Sequence, residues 1–115
     1  MTNKVFIIAE AGVNHNASMY VAKKMIDVAK ECDVDAIKFQ IAKPELVMTK
    51  WAGKAEYQEI NTGTEETQLE MCKKLHLDLS DYYELKRYCD VQGVKFLATA
   101  FDEASFVVLN KIGVD

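Results

Sequence analysis

A chain of 115 residues, half of them hydrophobic and 28% charged, has the makeup of one globular domain and leaves no room for two independent cores. Fourteen Lys and Arg against eighteen Asp and Glu give a formal charge of −4, and no basic stripe interleaves with aromatics, which argues against nucleic acid as a partner. The longest apolar run, Val5 to Ala9, falls far short of the ~18 residues of a membrane span, and no charged leader with a cleavage site precedes it. The chain is therefore read as cytoplasmic, with no membrane partner.

In chain order, Val5 to Ala9 reads as a first strand buried on both faces, breaking into a loop at Glu10-Ala11-Gly12. After Ser18, a candidate N-cap, apolar residues at Val21, Met25, Val28, Ala29 and Cys32 recur with a helical period, giving a helix over roughly 19–32. Ala36 to Ile41 returns to strand character, and Ala42 to Thr64, with Pro44, Gly53 and Gly63, reads as a long loop. Thr62 with Glu65 has capping-box spacing ahead of a helix marked by Leu69, Cys72 and Leu75. Ser80 opens another helix through Leu85, Tyr88 and Cys89, stopped by Gly93. Val94 to Ala100 is a third strand, and Asp102 caps a last helix that ends before Gly113. Strands separated by helical segments, without a two-residue hairpin turn, make the fold class α/β with consecutive βα units and a parallel sheet. Three such strands cannot close a barrel or hide their edges, so residues 1–115 are expected to be the first part of something longer.

Period-two alternation assigns side chains to faces. It places Lys38 and Gln40 on one face of the second strand and Ile37, Phe39 and Ile41 on the other; it sets Glu10 with Phe6 and Ile8, and Thr99 with Leu97. If the apolar faces meet the helices, Glu10, Lys38, Gln40 and Thr99 converge at the carboxyl ends of parallel strands, where βα folds keep their active sites. Glu10 with Lys38 equally fits a structural ion pair. His15, between Asn14 and Asn16, is a candidate metal ligand or proton donor against the plainer reading of a loop hydrogen-bonder, and His76 is expected to be exposed. Trp51 and Tyr57 could stack on a sugar ring or pin the long loop. Cys32, Cys72 and Cys89 match neither a CxxC pair nor a zinc ribbon and are expected to be buried small hydrophobes. GxGxxG, GxxxxGK[ST] and GxSxG are all missing from the sequence.

Ile8-Ala9-Glu10-Ala11-Gly12-Val13-Asn14-His15-Asn16, Ala36-Ile37-Lys38-Phe39-Gln40, Lys54-Ala55-Glu56-Tyr57-Gln58 and Phe96-Leu97-Ala98-Thr99-Ala100-Phe101-Asp102 resemble, in order, the N-terminal motifs of the sialic acid synthase (N-acetylneuraminate synthase) family. The resemblance implies that residues 1–115 are the first three βα units of a (β/α)8 TIM barrel, incomplete in this chain, with the later units and an antifreeze-like domain absent from it. It implies condensation of phosphoenolpyruvate with N-acetylmannosamine or a related N-acetylated amino sugar, releasing phosphate, and a homodimer in the full-length protein. It also implies a divalent metal, Mn or Mg, whose ligands lie outside these residues. Position by position, Glu10 matches the carboxylate that handles the attacking water, Lys38 and Gln40 the phosphoenolpyruvate-binding pair, Thr99 a phosphate-contacting hydroxyl and Asn61 an amino-sugar-binding Asn. The chain departs from the family pattern at Ala17, where Gly is usual, at Ile41, where Thr is usual, and at Ala98 and Ala100, where Ser and Pro are usual. A Schiff-base aldolase using Lys38 and a truncated, non-catalytic sugar-binding or interaction module are the alternatives, and this segment alone is expected to be inactive.

Overall fold

The computed structural model describes residues 4–62 and 66–115. Its elements are β1 (Ile8–Gly12), α1 (Met19–Glu31), β2 (Ala36–Ile41), α2 (Pro44–Val47), α3 (Glu56–Thr62), α4 (Gln68–Leu75), α5 (Asp81–Gln92), β3 (Lys95–Ala100) and α6 (Glu103–Ile112). The strands form a parallel sheet in the order β1-β2-β3, as consecutive βα units require. The register pairs Glu10 with Lys38 and Lys38 with Leu97, and it pairs Gln40 with Thr99.

The core lies on the helix side of the sheet. Ile37, Phe39 and Ile41 of β2 and Phe96 of β3 point into it and meet Ala22, Ile26 and Ala29 of α1 and Tyr82, Leu85 and Cys89 of α5. Phe39 and Phe96 stack with ring centroids 5.8 Å apart. A polar seam joins α1 to α5: Tyr88 donates to Asp27 at 2.7 Å, and Glu84 accepts from Lys23 and Arg87. Arg87 and then Lys23 hold the Glu84 carboxyl down at about 2.

The helix ends follow the chain's own signals. Ser18 accepts from the Val21 amide, Asp102 accepts from the Ser105 amide, and Gly93 and Gly113 end α5 and α6 in the left-handed region at φ 76° and 82°. α4 is capped differently from the expectation. Thr67 and Glu70 form the capping box, and Thr62 is the last residue of α3; Glu65 lies outside the described residues. The same Thr-x-x-Glu spacing occurs twice within six residues, and only the second stands directly before the apolar stripe of α4. Ser80 makes no capping hydrogen bond because it is already helical at φ −65°, ψ −27°; the Asp81 carboxylate accepts from the Asp78 amide instead. The expected loop over 42–64 contains two short helices, α2 started by Pro44 and α3 by an acidic first turn.

The first strand starts later than the apolar run suggests. Val5 to Ile8 are exposed, and β1 begins where the Asp35 carboxylate takes the Ile7 amide at 2.8 Å while the amides of Asp35 and Ala36 donate to the Ile7 carbonyl. β1 pairs only with β2, so its apolar residues find no second neighbour among the described residues. Beside this edge, Val21, Met25, Val28 and Cys32 of α1 flank an open groove of about 410 Å3 with Ala9 and Val34. Cys32 is therefore exposed rather than buried, unlike Cys72 and Cys89; burial pushes the Cys89 thiol up to about 12.

Candidate active site

The face of the sheet opposite the core is open, and it carries the polar residues singled out by strand alternation. Glu10 Oε2 lies 3.0 Å from Lys38 Nζ, both side chains partly exposed. Two residues further toward the carboxyl end, on the same face, Gln40 stands beside Thr99. Four of the five sequence candidates thus gather on one face of three adjacent parallel strands. Asn61 does not join them through the sheet: it is exposed in the last turn of α3, in a helix where a loop was expected.

Two devices fix the rim. Tyr82, wholly buried at the start of α5, donates its hydroxyl to the Gln40 carbonyl at 2.7 Å and so ties the end of β2 to the helix layer. Burial, and secondarily the charge of Asp81, push the Tyr82 phenol above its ordinary value, which keeps it a donor. Asp102 accepts from the Lys43 amide at 2.7 Å and from the Ser105 amide and hydroxyl at 2.8 Å each, pinning the exit of β2 to the turn after β3. Burial acts to raise the Asp102 carboxyl, but these hydrogen bonds prevail and hold it below the usual carboxylate range.

The β1–α1 turn is built around His15. Its ring is fully buried, 6.0 Å from the Phe39 ring, and Nδ1 accepts from the Ala17 amide at 3.1 Å. This bond fixes the neutral ring with its proton on Nε2. Burial, then the charge of His76, lower His15 below its usual value. The plainer reading of His15 as a loop hydrogen-bonder is the one the geometry carries. His76 is not simply exposed: it is half-buried at the end of α4, burial lowers its basicity, and it lines a cavity of about 300 Å3 with Gln40, Tyr57, Cys72 and Phe101. Trp51 is 82% exposed, and among the described residues Lys50 lies over its ring and no residue of the buried core cluster packs on it. Among the described residues no group of three or more His, Cys, Asp or Glu is placed to hold a metal ion.

One residue beside the site escaped the strand argument because it lies past the strand. Asn14 donates from Nδ2 to the Ala11 carbonyl at 3.0 Å, which folds its amide back toward Glu10. Its sequence signals are its place two residues after a glycine that ends a strand and its presence in the motif from Ile8 to Asn16.

A parallel sheet whose carboxyl end gathers a carboxylate, an ammonium, an amide and a hydroxyl on one face defines the class: α/β proteins that place their chemistry at the tips of βα units. The NeuB family model matches residues 25–115, and the chain belongs to that family. It is 45% identical over 109 residues to N,N'-diacetyllegionaminic acid synthase of Legionella pneumophila, covering 95% of this chain and 31% of that protein. It is 36% identical to human N-acetylneuraminate-9-phosphate synthase, covering 95% of this chain and 30% of that one. The crystal structure of N-acetylneuraminic acid (sialic acid) synthetase from Leptospira borgpetersenii superposes with a TM-score of 0.75 at 31% identity, covering 97% of this chain and 34% of the other. The chain thus spans about a third of the length of the relatives it matches.

Proposed function

We propose that the chain is the N-terminal portion, three βα units of a (β/α)8 barrel, of a synthase that condenses phosphoenolpyruvate with an N-acetylated amino sugar to a sialic-acid-type product and phosphate. The observation that carries this reading is the register of Glu10, Lys38, Gln40 and Thr99 on one open sheet face, in a chain whose residues 25–115 match the NeuB family model. In it, Lys38 and Gln40 bind the anionic end of phosphoenolpyruvate and the Thr99 hydroxyl contacts its phosphate, supplying cationic and hydrogen-bonding partners for a highly charged substrate. Glu10 takes a proton from the water whose oxygen bonds to C2 of the enolpyruvyl group. C3 of that group forms the new carbon–carbon bond with the sugar aldehyde, whose oxygen is protonated, and collapse at C2 breaks the C–O bond to phosphate. Tyr57, exposed on the cavity that also borders Gln40, and Asn61 are the side chains of this segment offered to the sugar. The divalent metal and the second subunit of a homodimer belong to the same reading, and no step above runs through the metal.

The test is phosphate release from phosphoenolpyruvate by the full-length protein, with N-acetylmannosamine, its 6-phosphate and a diacetamido trideoxy sugar as acceptors. Release that depends on one acceptor supports the reading, and its absence with every acceptor sinks it. Lys38 Nζ lies 3.0 Å from Glu10 Oε2, and imine chemistry needs a nitrogen released from such a partner. Borohydride in the presence of a keto acid should therefore trap nothing on Lys38.

A further inference from the structure

The inference concerns Gly12 and Asn14 and rests on the synthase reading above. Gly12 ends β1 with φ +55°, just after a bulge at which the pairing steps from Glu10–Lys38 to Gly12–Phe39. A methyl placed on its Cα would lie 3.7 Å from Glu10 Oε1, 3.8 Å from Gln40 Nε2 and 3.9 Å from Asn14 Nδ2. The absent side chain therefore leaves a niche floored by the Gly12 Cα and bounded by one carboxylate oxygen and two amide nitrogens at nearly equal range. Glu10 is divided between two tasks: Oε2 is held by Lys38 at 3.0 Å, and Oε1 borders the niche. One hydrogen of Asn14 Nδ2 goes to the Ala11 carbonyl, which orients the amide and leaves the second hydrogen for the niche.

We propose that this niche seats the nucleophilic water, with the Asn14 amide donating to its oxygen, Gln40 walling the niche and Glu10 Oε1 accepting its proton, so that Asn14 is a further substrate-contacting residue and Gly12 is required for the space. The atom types match what a water about to attack needs. One donor fixes the oxygen through one lone pair, the other lone pair is left to meet the electrophile, and a carboxylate stands ready for the proton. The transfer balances: the water oxygen bonds to C2 of the enolpyruvyl group, the O–H bond breaks, and the proton passes to Glu10. A side chain at position 12 would occupy the seat of that water and would also be strained at positive φ.

The experiment uses the full-length protein and phosphate release from phosphoenolpyruvate with the acceptor the wild type accepts. Asn14→Ala should lower kcat by about 10²-fold, the cost of a misplaced nucleophile, with the phosphoenolpyruvate KM changed by less than about threefold and the melting temperature little moved. Asn14→Asp sets a second carboxylate beside Glu10, whose other charged neighbour is Lys38, and like charges oppose ionisation; the acid limb of the kcat profile should move to higher pH. A purely structural Asn14 would leave that limb in place. Should Asn14→Ala fail to fold, Asn14→Ser gives the same reading. A kcat within twofold of wild type in the alanine or serine variant overturns the niche while the synthase reading stands, as does an unmoved acid limb. A wild type that releases no phosphate with any acceptor overturns the synthase reading and the niche with it.

Discussion

Glu10 and Lys38 face each other across neighbouring parallel strands, register partners whose charged atoms lie 3.0 Å apart. An ion pair this exposed contributes little to stability, under about 1 kcal/mol. In the proposed synthase, its value lies in setting the base and a phosphoenolpyruvate-binding group at one height on the sheet.

Replacing Glu10 by Gln keeps the shape and removes the charge and basicity. In the full-length protein kcat should fall by roughly 10²- to 10⁴-fold with phosphoenolpyruvate affinity little changed. Steady-state kinetics and thermal unfolding decide the matter together: near-normal kcat with a lowered melting temperature would leave Glu10 as nothing more than the counter-ion of Lys38.

Ala17 is left-handed at φ 57°, directly after Asn16 at φ 49°. This explains why glycine suits the position in the family pattern, and a non-glycine residue there carries strain. Ala17→Gly should raise stability by about 0.5–1 kcal/mol, the relief of strain less the added freedom of the unfolded chain. A denaturant midpoint that falls in the variant would refute the strain.

His15 is held neutral, and its basicity is lowered on folding, first by burial and then by His76. Below its unfolded value of about 6.5 the unfolded chain binds a proton that the folded chain resists, so this contribution is complete above that pH and is lost as pH falls through it. The melting temperature of the wild type should drop between pH 7.5 and 5.5, and His15→Gln should flatten that drop. His76, lowered in the same direction by burial, would leave a remainder. Equal drops in both proteins would show that His15 is not the source.

Asp102→Ala removes the cap of α6, the acceptor for the Lys43 amide and the partner of the buried Ser105 hydroxyl. A loss of about 2 kcal/mol is expected, the upper end for a cap. Asp102→Asn, which keeps one acceptor, should recover part of it in urea unfolding; full stability in the alanine variant would contradict the double anchoring.

How much of this could be read in the sequence depended on whether the deciding interaction was local. β2 falls at Ala36–Ile41 as expected, because alternation of polar and apolar residues is a property of the strand itself, and it sorted Lys38 and Gln40 from Phe39 correctly. Gly93, Gly113, Ser18 and Asp102 likewise act within one turn of their own position. Val5 to Ile8 misled because apolarity signals a demand for burial without saying what meets it. The hydrogen-bonding role of His15 was legible, but its burial and the reach of Asn14 were not, because they depend on a bulge and three left-handed residues, which no periodicity encodes.

The bulge after Glu10 bears on how this segment tolerates change in length. Because β1 advances two residues from Glu10 to Gly12 while β2 advances one from Lys38 to Phe39, the extra residue Ala11 is a phase shifter. It lets the chain leave the sheet with Gly12 bordered by both Glu10 and Gln40. Removing that one residue would restore an unbroken ladder, turn Gly12 by half a pleat and swing the Asn14-His15 turn to the other side of the sheet. Between Glu10 and Gly12 the count of residues is fixed.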